Sequence, residues 1–418
     1  MTFYTFTLGC KVNSYETAAI SNALIEAGFL YDDVNPDVIV INTCSVTHVA
    51  DQKSRQHIRK FHKNYPHALI VVMGCYAQGN AELILESCGA DLVIGTSKRN
   101  ELVDLILDKL KNRNPSINVN PDSRHFNYEE LGVTAYSENI RAYLKIQDGC
   151  DNFCTYCIVP YRRGRSRSRD FNTIIEEANN LVNKSYKEIV LTGIHIGKYG
   201  HDIGTTFSNL VEELCKIKNL YRIRISSIEE SEIDDKLIDL VIHNDKIAKH
   251  LHIPLQAGCD KTLKRMGRRY TKAEFLAKIN KIKAEIKDIC LTTDLIVGFP
   301  GESEEDFLES YNFLKEVGFA QVHVFPYSQR TGTPAATYPN QIAPDVKHRR
   351  ELKVLAYSIS SFEEYSSRFV GKEVDVIIEK YDEEKGMYFG HSSSYLNVYI
   401  DDPSLKVGDI VKTTYKMY

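Results

Sequence analysis

Short apolar runs alternate with helix-length segments along the first 111 residues. The runs with the pattern of buried strands read FYTFTL, DVIVIN, ALIVVMG and DLVIG. Helical spacing of apolar positions covers residues 16–27, residues 50–63, a segment from Ala77 and a last segment ending near Lys111. Strands and helices that alternate at this interval predict a doubly wound, parallel-sheet α/β domain for residues 1–111.

A polar stretch ends this alternation, and a second alternation follows it. Residues 112–138 contain Pro115, Pro121 and several Asn and Ser residues, which predicts a linker. Within residues 139–369, six further apolar runs read AYLKIQ, EIVLTG, RIRISS, AKHLHIPL, ICLTTDLIVGF and FAQVHVFPY. Six β units separated by helical segments predict a partial (βα)6 barrel, whose chemistry belongs at the C-terminal ends of its strands.

The end of the chain has a third pattern. After a charged helical segment at about residues 346–369, the runs KEVDVIIEKYD, GMYFGHSS, YLNVYI and DIVKTTYK are joined by Gly, Asp and Pro turns. Short alternating strands of this kind predict a small β-barrel for residues 370–418.

The composition is that of a globular protein, since 43% of the 418 residues are apolar. The N-terminus lacks a basic region followed by an apolar run, and no later run is long enough to cross a bilayer, so we expect a cytoplasmic protein with no membrane partner. Ten cysteines without a secretory signal favour metal or redox chemistry over disulfides. The net charge of −4 does not require a polyanionic partner, so local charge has to be considered instead.

Three cysteines lie close together in the sequence GCDNFCTYC, directly after the first predicted barrel strand. Cys150, Cys154 and Cys157 have the spacing CxxxCxxC, which lets three thiolates converge in one loop. The spacing is compatible with zinc and a fourth ligand from elsewhere, with a metal-free cysteine cluster, and with an iron–sulfur cluster. The position after the first of six strands favours the iron–sulfur cluster.

Three other cysteines are distant in sequence but equivalent in topology. Cys10, Cys44 and Cys75 each follow a predicted strand of the first domain. The carboxyl ends of parallel strands gather at one edge of a doubly wound sheet, so these thiols are expected to converge. Buried structural cysteines are the alternative, and we assign that role to the remaining four, which are Cys88, Cys215, Cys259 and Cys290.

The motif CxxxCxxC, with Tyr156 before its last cysteine, resembles that of the radical S-adenosylmethionine (SAM) enzymes. The resemblance implies a 4Fe-4S cluster on Cys150, Cys154 and Cys157, with one iron left open for SAM. It also implies that an electron from the cluster cleaves SAM to a 5′-deoxyadenosyl radical. The protein then supplies binding, orientation and exclusion of water, while the cofactor supplies the radical chemistry.

The order of the three predicted domains resembles the methylthiotransferase family over essentially the whole chain. The resemblance implies a second 4Fe-4S cluster on Cys10, Cys44 and Cys75, an RNA-binding TRAM domain at residues 370–418, and two SAM molecules per turnover. One SAM would methylate a sulfur atom on the second cluster. The other would yield the radical that removes hydrogen from C2 of an adenine ring, after which the carbon radical would attack the methylated sulfur.

Local motifs distinguish branches of this family. LGCKVNSYET, ADQKSRQ and LTGIHIGKYG resemble the branch that modifies N6-threonylcarbamoyladenosine at tRNA position 37, next to the anticodon. The isopentenyladenosine branch, which usually begins with GCQMN, is the alternative within the family. A non-catalytic, zinc-containing RNA-binding protein is the alternative from a different class.

SAM is expected to lie across the strand ends of the barrel. The candidate contacts are Thr192 and Gly193 after the second strand, Ser226, Ser227 and Glu229 after the third, His252 and Gln256 after the fourth, Val297 and Gly298 after the fifth, and Tyr156 in the cysteine motif. Turn formation or helix capping is the alternative role for each of them taken singly.

Two basic segments near the cysteine motif predict contacts to tRNA phosphates. The first reads YRRGRSRSR and contributes Arg162, Arg163, Arg165, Arg167 and Arg169, and the second contributes Lys264, Arg265, Arg268 and Arg269. Residues 370–418 have six lysines, no arginine and nine acidic residues, so this domain would rely on shape and on Tyr395 and Tyr399 for stacking. An electron donor of unknown identity is a further expected partner, and we expect a monomer.

Overall fold

The structure, a computed structural model, describes residues 1–133, 135–136 and 140–417. Residue 134 and residues 137–138 of the predicted linker, residue 139 at the start of the predicted barrel, and residue 418 lie outside the described residues. Among the helices of these ranges, none has the length and apolar character needed to cross a membrane.

The N-terminal region contains a six-stranded parallel sheet in the order β2-β1-β3-β4-β5-β6. The strands are β1 Thr2–Thr7, β2 Leu30–Tyr31, β3 Val38–Thr43, β4 Leu69–Gly74, β5 Leu92–Ile94 and β6 Ser116–Asn118. The helices are α1 Lys11–Glu26, α2 His48–Asn64, α3 Cys75–Gly79, α4 Ala81–Cys88 and α5 Leu102–Lys111. Apolar clusters cover both faces of the sheet, which explains why β3 and β4 are buried along their whole length.

Two short edge strands were absent from the sequence prediction. β2 has two residues, and β6 lies inside the segment that we predicted as a linker. Neither forms an apolar run, because an edge strand pairs on one side only. The linker segment is therefore structured in part, since β6 pairs with β5.

The central region is built from parallel strands and helices in alternation, as predicted. Its strands are β7 Arg141–Lys145, β8 Gln147–Asp148, β9 Arg167–Ser168, β10 Glu188–Thr192, β11 Arg222–Ile225, β12 His250–His252, β13 Cys290–Val297 and β14 Gln321–Pro326. Its helices are α6 Val159–Arg163, α7 Phe171–Asn183, α8 Phe207–Cys215, α9 Asp235–His243, α10 Asp260–Met266, α11 Lys272–Glu285 and α12 Glu304–Val317. Short 3₁₀ turns lie at Arg99–Glu101, Ser123–His125, Ile196–Lys198, Glu230–Glu232 and Pro334–Thr337.

Six of these strands form one curved series. β7, β10 and β11 make one parallel sheet, and β12, β13 and β14 make another. Parallel bridges at Ile223–Ile247 and Ser227–His252 join the two halves. β8 and β9 pair antiparallel beside the series and close the loop that carries the cysteine motif. The carboxyl ends of the strands therefore surround this loop.

The C-terminal region is a four-stranded antiparallel sheet that follows a long helix. Helix α13 spans Pro344–Ser367, and the strands are β15 Glu373–Asp382, β16 Met387–Ser392, β17 Asn397–Ile400 and β18 Ile410–Thr414, in the order β17-β16-β15-β18. The core of this sheet includes Phe369 after α13 and Cys290 at the start of β13. The sheet is therefore packed on the amino-terminal side of the barrel strands, opposite the cysteine loop.

The N-terminal and central regions share a core. Tyr15 and Ala19 of α1 pack with Ala142 of β7 and Leu181 of α7. The Tyr15 hydroxyl donates a hydrogen bond to Oε2 of Glu177 at 3.1 Å, and the Glu177 side chain is also buried. Helix α1 begins directly after Cys10, so this contact places the N-terminal cysteines against the barrel.

Candidate functional site

The loop of Cys150, Cys154 and Cys157 is held in shape by its backbone. The Cys157 amide donates to Cys154 O at 2.9 Å, and the Cys150 amide donates to Gly164 O at 3.0 Å. Gly149 has a φ of +73°, and a Cβ there would lie 1.9 Å from Arg165 O. Glycine is therefore required before Cys150, because the two arms of the loop touch at this point.

Two basic side chains contact the sulfur atoms of this loop. His195 Nδ1 lies 3.5 Å from Cys150 Sγ, and its Nε2 lies 2.7 Å from Glu232 Oε1. Burial disfavours the charged ring, but the hydrogen bond to Cys150 and the ion pair with Glu232 outweigh it and raise the pKa of His195 to about 10. Arg268 donates from Nη1 to Cys154 Sγ at 3.5 Å. Both contacts supply positive charge to a site that would carry thiolates.

One thiol in each site has a pKa so far above neutral that it needs a metal before it can ionise near neutral pH. Burial raises the pKa of the Cys157 thiol to about 12, although a hydrogen bond from the Val159 amide opposes the shift. Burial likewise raises the pKa of the Cys75 thiol to about 12, although Arg163 opposes the shift. A bound metal deprotonates its thiol ligands, so these groups fit a metal-loaded site better than a set of free thiolates.

The three N-terminal cysteines converge at one edge of the sheet. Cys10, Cys44 and Cys75 follow β1, β3 and β4, which are adjacent in the sheet. After burial itself, the charges of neighbouring cysteines contribute to the raised pKa values of Cys44 and Cys75. The three residues therefore follow neighbouring strand ends, and their role as ligands of one cluster stays a prediction.

Glycines before two of these cysteines allow the strand ends to approach each other. Gly9 has a φ of +109°, and a Cβ there would lie 2.7 Å from Cys44 Cβ and 2.9 Å from Cys44 Sγ. Gly74 has a φ of +100°, and its Cβ would lie 2.4 Å from Asn42 Oδ1. Both positions therefore require glycine for conformation and for space.

Neither set of cysteines is arranged as a ligand set for one metal ion. Within the described ranges, no group of three His, Cys, Asp or Glu side chains has that geometry. The thiolates of a 4Fe-4S cluster bind separate irons, so such a cluster does not require three ligands that converge on a single metal ion.

Two cavities lie against the cysteine motif. One, of about 220 Å³, is mainly apolar and extends from Cys157 and Tyr156 to Val46 and Thr47, which follow Cys44. The other, of about 240 Å³, is highly charged, and its wall includes Cys154, Lys198, Glu229, Glu230, Glu232 and Arg268. The first cavity is shared by loops from both cysteine sites.

Two candidate SAM contacts have unused hydrogen-bonding capacity. Among the described residues, Thr192 Oγ1 and Ser226 Oγ are buried without a hydrogen-bond partner at the ends of β10 and β11. A buried hydroxyl without a partner costs free energy, so a polar ligand at these strand ends would stabilise both. This arrangement fits a polar cofactor such as SAM. At Gly193, a Cβ would lie 2.9 Å from Ile196 Cγ2 and 3.0 Å from Gln147 O, so the glycine is explained by packing within the protein.

Other candidate contacts already have partners in the protein. Glu229 forms an ion pair with Arg268, and His252 Nε2 lies 3.2 Å from Asp294 Oδ2. The Gly298 amide donates to Glu302 Oε2 at 2.6 Å, and a Cβ there would lie 2.4 Å from Lys347 Cγ. Glycine at 298 is therefore explained by α13, whereas we had expected a close approach to the ligand.

The remaining candidates for SAM binding differ in position. Gln256 and Tyr156 line the apolar cavity. Val297 is fully buried at the end of β13, and Ser227 is exposed beside β12. Of these four residues, Gln256 and Tyr156 alone line a cavity at the cysteine motif.

The first basic segment differs most from its prediction. Arg163, Arg167 and Arg169 are buried, with exposed fractions of 0%, 8% and 2%, so they do not present a surface to tRNA phosphates. Arg162 lies over Gly79 and is partly buried, and Arg165 is exposed and pairs with Asp151 at 3.1 Å. The segment runs from the end of α6 through Gly164 into β9.

The second basic segment is partly available to a ligand. Lys264 and Arg269 are exposed. Arg265 donates to Gly301 O at 2.6 Å and Arg268 is directed at Cys154. Lys264 and Arg269 therefore remain as candidate tRNA contacts, together with Arg165.

Tyr395 packs inside the protein, although we had expected it to be available for stacking on RNA. Its ring is stacked between His250, at 4.6 Å between centroids, and His391, at 4.8 Å. Arg224 Cζ lies 4.9 Å from the same ring. Tyr399 remains partly exposed on β17, where Lys385 Nζ lies 3.8 Å from its ring centroid.

The polar groups buried between the two cysteine sites were not predicted from the sequence. Glu16 of α1 and Asp148 before the cysteine motif are both buried, as are Arg99 and Lys145. Lys145 stands in the apolar run AYLKIQ, and a charged residue in a predicted buried strand signals a buried ion pair. That signal was present in the sequence, but it does not identify the partner.

Comparison with family models matches two parts of the chain. Residues 144–314 match the radical SAM superfamily, and residues 2–95 match a family described as uncharacterized protein family UPF0004. The first match covers the end of β7, strands β8 to β13 and the motif of Cys150, Cys154 and Cys157, and it ends before β14. The second covers the three N-terminal cysteines.

Characterised relatives cover almost the whole chain. A threonylcarbamoyladenosine tRNA methylthiotransferase of Bacillus subtilis is 45% identical over 97% of this chain and 92% of its own length. The enzyme of that name from Thermotoga maritima is 35% identical over 93% of this chain and 89% of its own. A tRNA-2-methylthio-N6-dimethylallyladenosine synthase of Thermoanaerobacter pseudethanolicus is 38% identical over 89% and 81%.

Solved structures support the fold. The radical SAM methyltransferase TsrM from Kitasatospora setae, solved with cobalamin and a 4Fe-4S cluster, matches with a TM-score of 0.61 over 80% of this chain and 74% of its own. At 13% identity, this likeness concerns the fold alone. The match extends beyond the part of the chain that the radical SAM model covers.

Proposed function

This chain belongs to the radical SAM methylthiotransferases, and we propose that it converts N6-threonylcarbamoyladenosine at tRNA position 37 to its 2-methylthio derivative. The observation that carries the proposal is the 45% identity to the Bacillus subtilis threonylcarbamoyladenosine enzyme over 97% of the chain. The isopentenyladenosine relatives have a lower identity, 38% over 89% of the chain.

We assign the cluster that binds SAM to Cys150, Cys154 and Cys157, and a second 4Fe-4S cluster to Cys10, Cys44 and Cys75. Bound SAM and the two clusters supply radical hydrogen abstraction, a sulfur atom and a methyl group. The buried thiols with raised pKa values support both assignments, as do the glycines that bring the strand ends together. His195 and Arg268 would donate hydrogen bonds to the sulfurs of Cys150 and Cys154.

We propose that the substrate binds in the apolar cavity, between the two cysteine sites. It contacts Cys157 on one side and Val46 and Thr47, next to Cys44, on the other. A reaction that uses both sites needs its substrate between them, because reacting atoms have to approach to about 3–3.5 Å. Gln256 and Tyr156 are among the polar residues that would orient a ligand there, together with Thr47, Asp294 and Ser328.

For SAM, we propose contacts at Thr192 and Ser226, whose buried hydroxyls at the strand ends have no hydrogen-bond partner among the described residues, and at the neighbouring Gly193. The charged cavity at Cys154 provides Lys198 and Glu230 as groups of opposite charge, which suits an amino acid moiety. Burial and the charge of Glu229 raise the pKa of Glu230 to about 7.

Contact with tRNA would involve Arg165, Lys264 and Arg269, which are exposed around the cysteine loop. The four-stranded C-terminal sheet has the strand pattern of a TRAM domain, and we propose that Tyr399 is its stacking residue. The closure of this sheet into a barrel stays a prediction.

Nucleoside mass spectrometry of tRNA tests the substrate. A strain that lacks the gene is expected to lose 2-methylthio-N6-threonylcarbamoyladenosine and to retain the isopentenyl counterpart. The wild-type gene should restore the modification, whereas the Cys44→Ala gene should not. Loss of the isopentenyl product alone would contradict the proposal and assign the chain to the other branch.

A further inference from the structure

Arg163 occupies an unusual position between the two cysteine sites. It ends helix α6, six residues after Cys157. Its side chain is fully buried, with an exposed fraction of 0%. A buried guanidinium is stable only when acceptors satisfy its donors and nearby groups balance its charge.

All five N–H groups of Arg163 have an acceptor. Nε donates to Cys75 Sγ at 3.2 Å. Nη1 donates to Glu16 Oε1 at 2.8 Å and to Asp148 Oδ1 at 3.2 Å. Nη2 donates to Asn13 Oδ1 at 2.8 Å and to Glu16 Oε2 at 3.1 Å. The planar fork thus contacts a proposed cluster ligand on one edge and two carboxylates on the other.

The partners of Arg163 connect it to both sites. Asn13 and Glu16 lie in the first two turns of α1, which begins directly after Cys10. Asp148 precedes Gly149 and Cys150. The guanidinium of Arg163 therefore connects the segment around Cys150, Cys154 and Cys157 to helix α1 and Cys75 of the N-terminal cysteine site.

The charges around Arg163 leave a positive excess. Arg99, Lys145, Arg163 and Arg167 form ion pairs with Glu16, Asp148 and Glu129, so four cations face three carboxylates. An unbalanced charge in a buried network is costly. A thiolate on Cys75 would compensate it, which matches the direction of the Nε–H group of Arg163.

We propose that Arg163 is a positioning residue that couples the two cluster sites. Its Nε–H bond to Cys75 raises the reduction potential of the cluster at Cys10, Cys44 and Cys75. Its guanidinium group also fixes the loop after Cys157 against that cluster site. The proposal rests on the proposed function, since it assumes the second cluster. Hydrogen bonds to sulfur and net charge both set the potentials of iron–sulfur clusters. Groups that hold metal ligands typically contribute about 10- to 100-fold to affinity or activity.

The test isolates the second cluster. In the variant with Cys150, Cys154 and Cys157 all changed to Ala, redox titration followed by EPR measures the potential of the remaining cluster. Adding Arg163→Lys is expected to lower this potential, because lysine keeps the charge but loses the Nε–H bond to Cys75. Adding Glu16→Gln is expected to raise it, because a negative charge beside Arg163 is removed.

Arg169→Lys is the matched control. Arg169 lies in the same segment, is equally buried and forms ion pairs with Glu130 and Glu177 at 2.8 Å. The same substitution there is expected to leave the potential unchanged. A purely structural effect of replacing a buried arginine would shift the potential in both variants.

In the chain with both clusters, Arg163→Lys is expected to retain 5′-deoxyadenosine formation and to lower the methylthio product by about 10- to 100-fold. Unchanged potentials in Arg163→Lys and Glu16→Gln, or an equal shift in Arg169→Lys, would overturn the proposal. If Arg163→Lys does not load the cluster, Glu16→Gln decides alone: an upward shift supports the coupling, and an unchanged potential overturns it. Absence of a second cluster in the parent protein would instead refute the proposed function.

Discussion

At the scale of residues, the chain builds two three-cysteine sites in different ways. Cys150, Cys154 and Cys157 are close in sequence and share one loop, whereas Cys10, Cys44 and Cys75 meet because three parallel strands end side by side. Basic side chains contact a sulfur in each site: His195 and Arg268 in the first, and Arg163 in the second. The two sites are therefore expected to have separable roles.

Cysteine substitutions should separate these roles. Cys154→Ala is expected to abolish 5′-deoxyadenosine formation, because it removes a proposed ligand of the cluster that would bind SAM. Cys44→Ala is expected to keep that reaction and to lose sulfur insertion. Cys88→Ala, at the end of α4 in the core of the sheet, is the control that should keep both. Equal loss of both reactions in Cys44→Ala, measured by chromatography and nucleoside mass spectrometry, would refute the division of roles.

Gly9→Ala should affect the second cluster selectively. Its Cβ would overlap Cys44, and its φ of +109° is unfavourable for alanine, so we expect the iron content to fall from about eight to about four per chain. Gly28→Ala is a matched control, because its φ is +89° but the space around it is open within 4 Å of the described atoms. It should lose about 1 kcal/mol of stability and no iron. A full complement of iron in Gly9→Ala would show that the approach of Gly9 to Cys44 is unimportant.

At the scale of elements, the sequence predicted what depends on long apolar runs. Most main strands of both parallel regions lie within one or two residues of their predicted positions, whereas β12 ends three residues before its predicted end. The cysteines of both predicted sites follow the ends of such strands, as the sequence indicated. The short edge strands β2 and β6 were missed, because pairing on one side needs no apolar run. Partners in space were missed as well: Arg163 and Tyr395 looked like surface residues by composition, but tertiary contacts bury the first and enclose the second.

The turn between β16 and β17 anchors the C-terminal sheet to the barrel through Tyr395. Tyr395→Ala removes a ring stacked on His250 and His391, so we expect a loss of about 2–4 kcal/mol in the free energy of unfolding. Tyr395→Phe keeps the ring and should be close to wild type. Thermal unfolding and limited proteolysis of the C-terminal region measure the effect. Equal melting temperatures for the two variants would show that this ring does not hold the sheet.

At the scale of the whole molecule, charge is distributed unevenly although the net charge is only −4. Many arginines form buried ion pairs. The exposed positive side chains near the cysteine loop include Arg165, Lys264 and Arg269. The C-terminal sheet is acidic, so electrostatic attraction to tRNA is expected mainly from the barrel.

The double variant Lys264→Ala, Arg269→Ala should weaken tRNA binding and reduce its dependence on salt. Each lost phosphate contact lowers the slope of log K against log salt by about one. Arg349→Ala, on the exposed side of α13 with a side chain that is 66% exposed, is the control for loss of charge alone. Filter binding at several salt concentrations measures both. Equal weakening by the control would remove the second basic segment from the interface.

The most direct test of the account is the product that the purified, anaerobically reconstituted chain forms on two tRNAs. One carries N6-threonylcarbamoyladenosine and the other isopentenyladenosine at position 37. With SAM and a reductant, nucleoside mass spectrometry should show the 2-methylthio derivative of the first and an unmodified second. Methylthiolation of the isopentenyl tRNA alone, or of neither tRNA by protein with both clusters, would contradict the account.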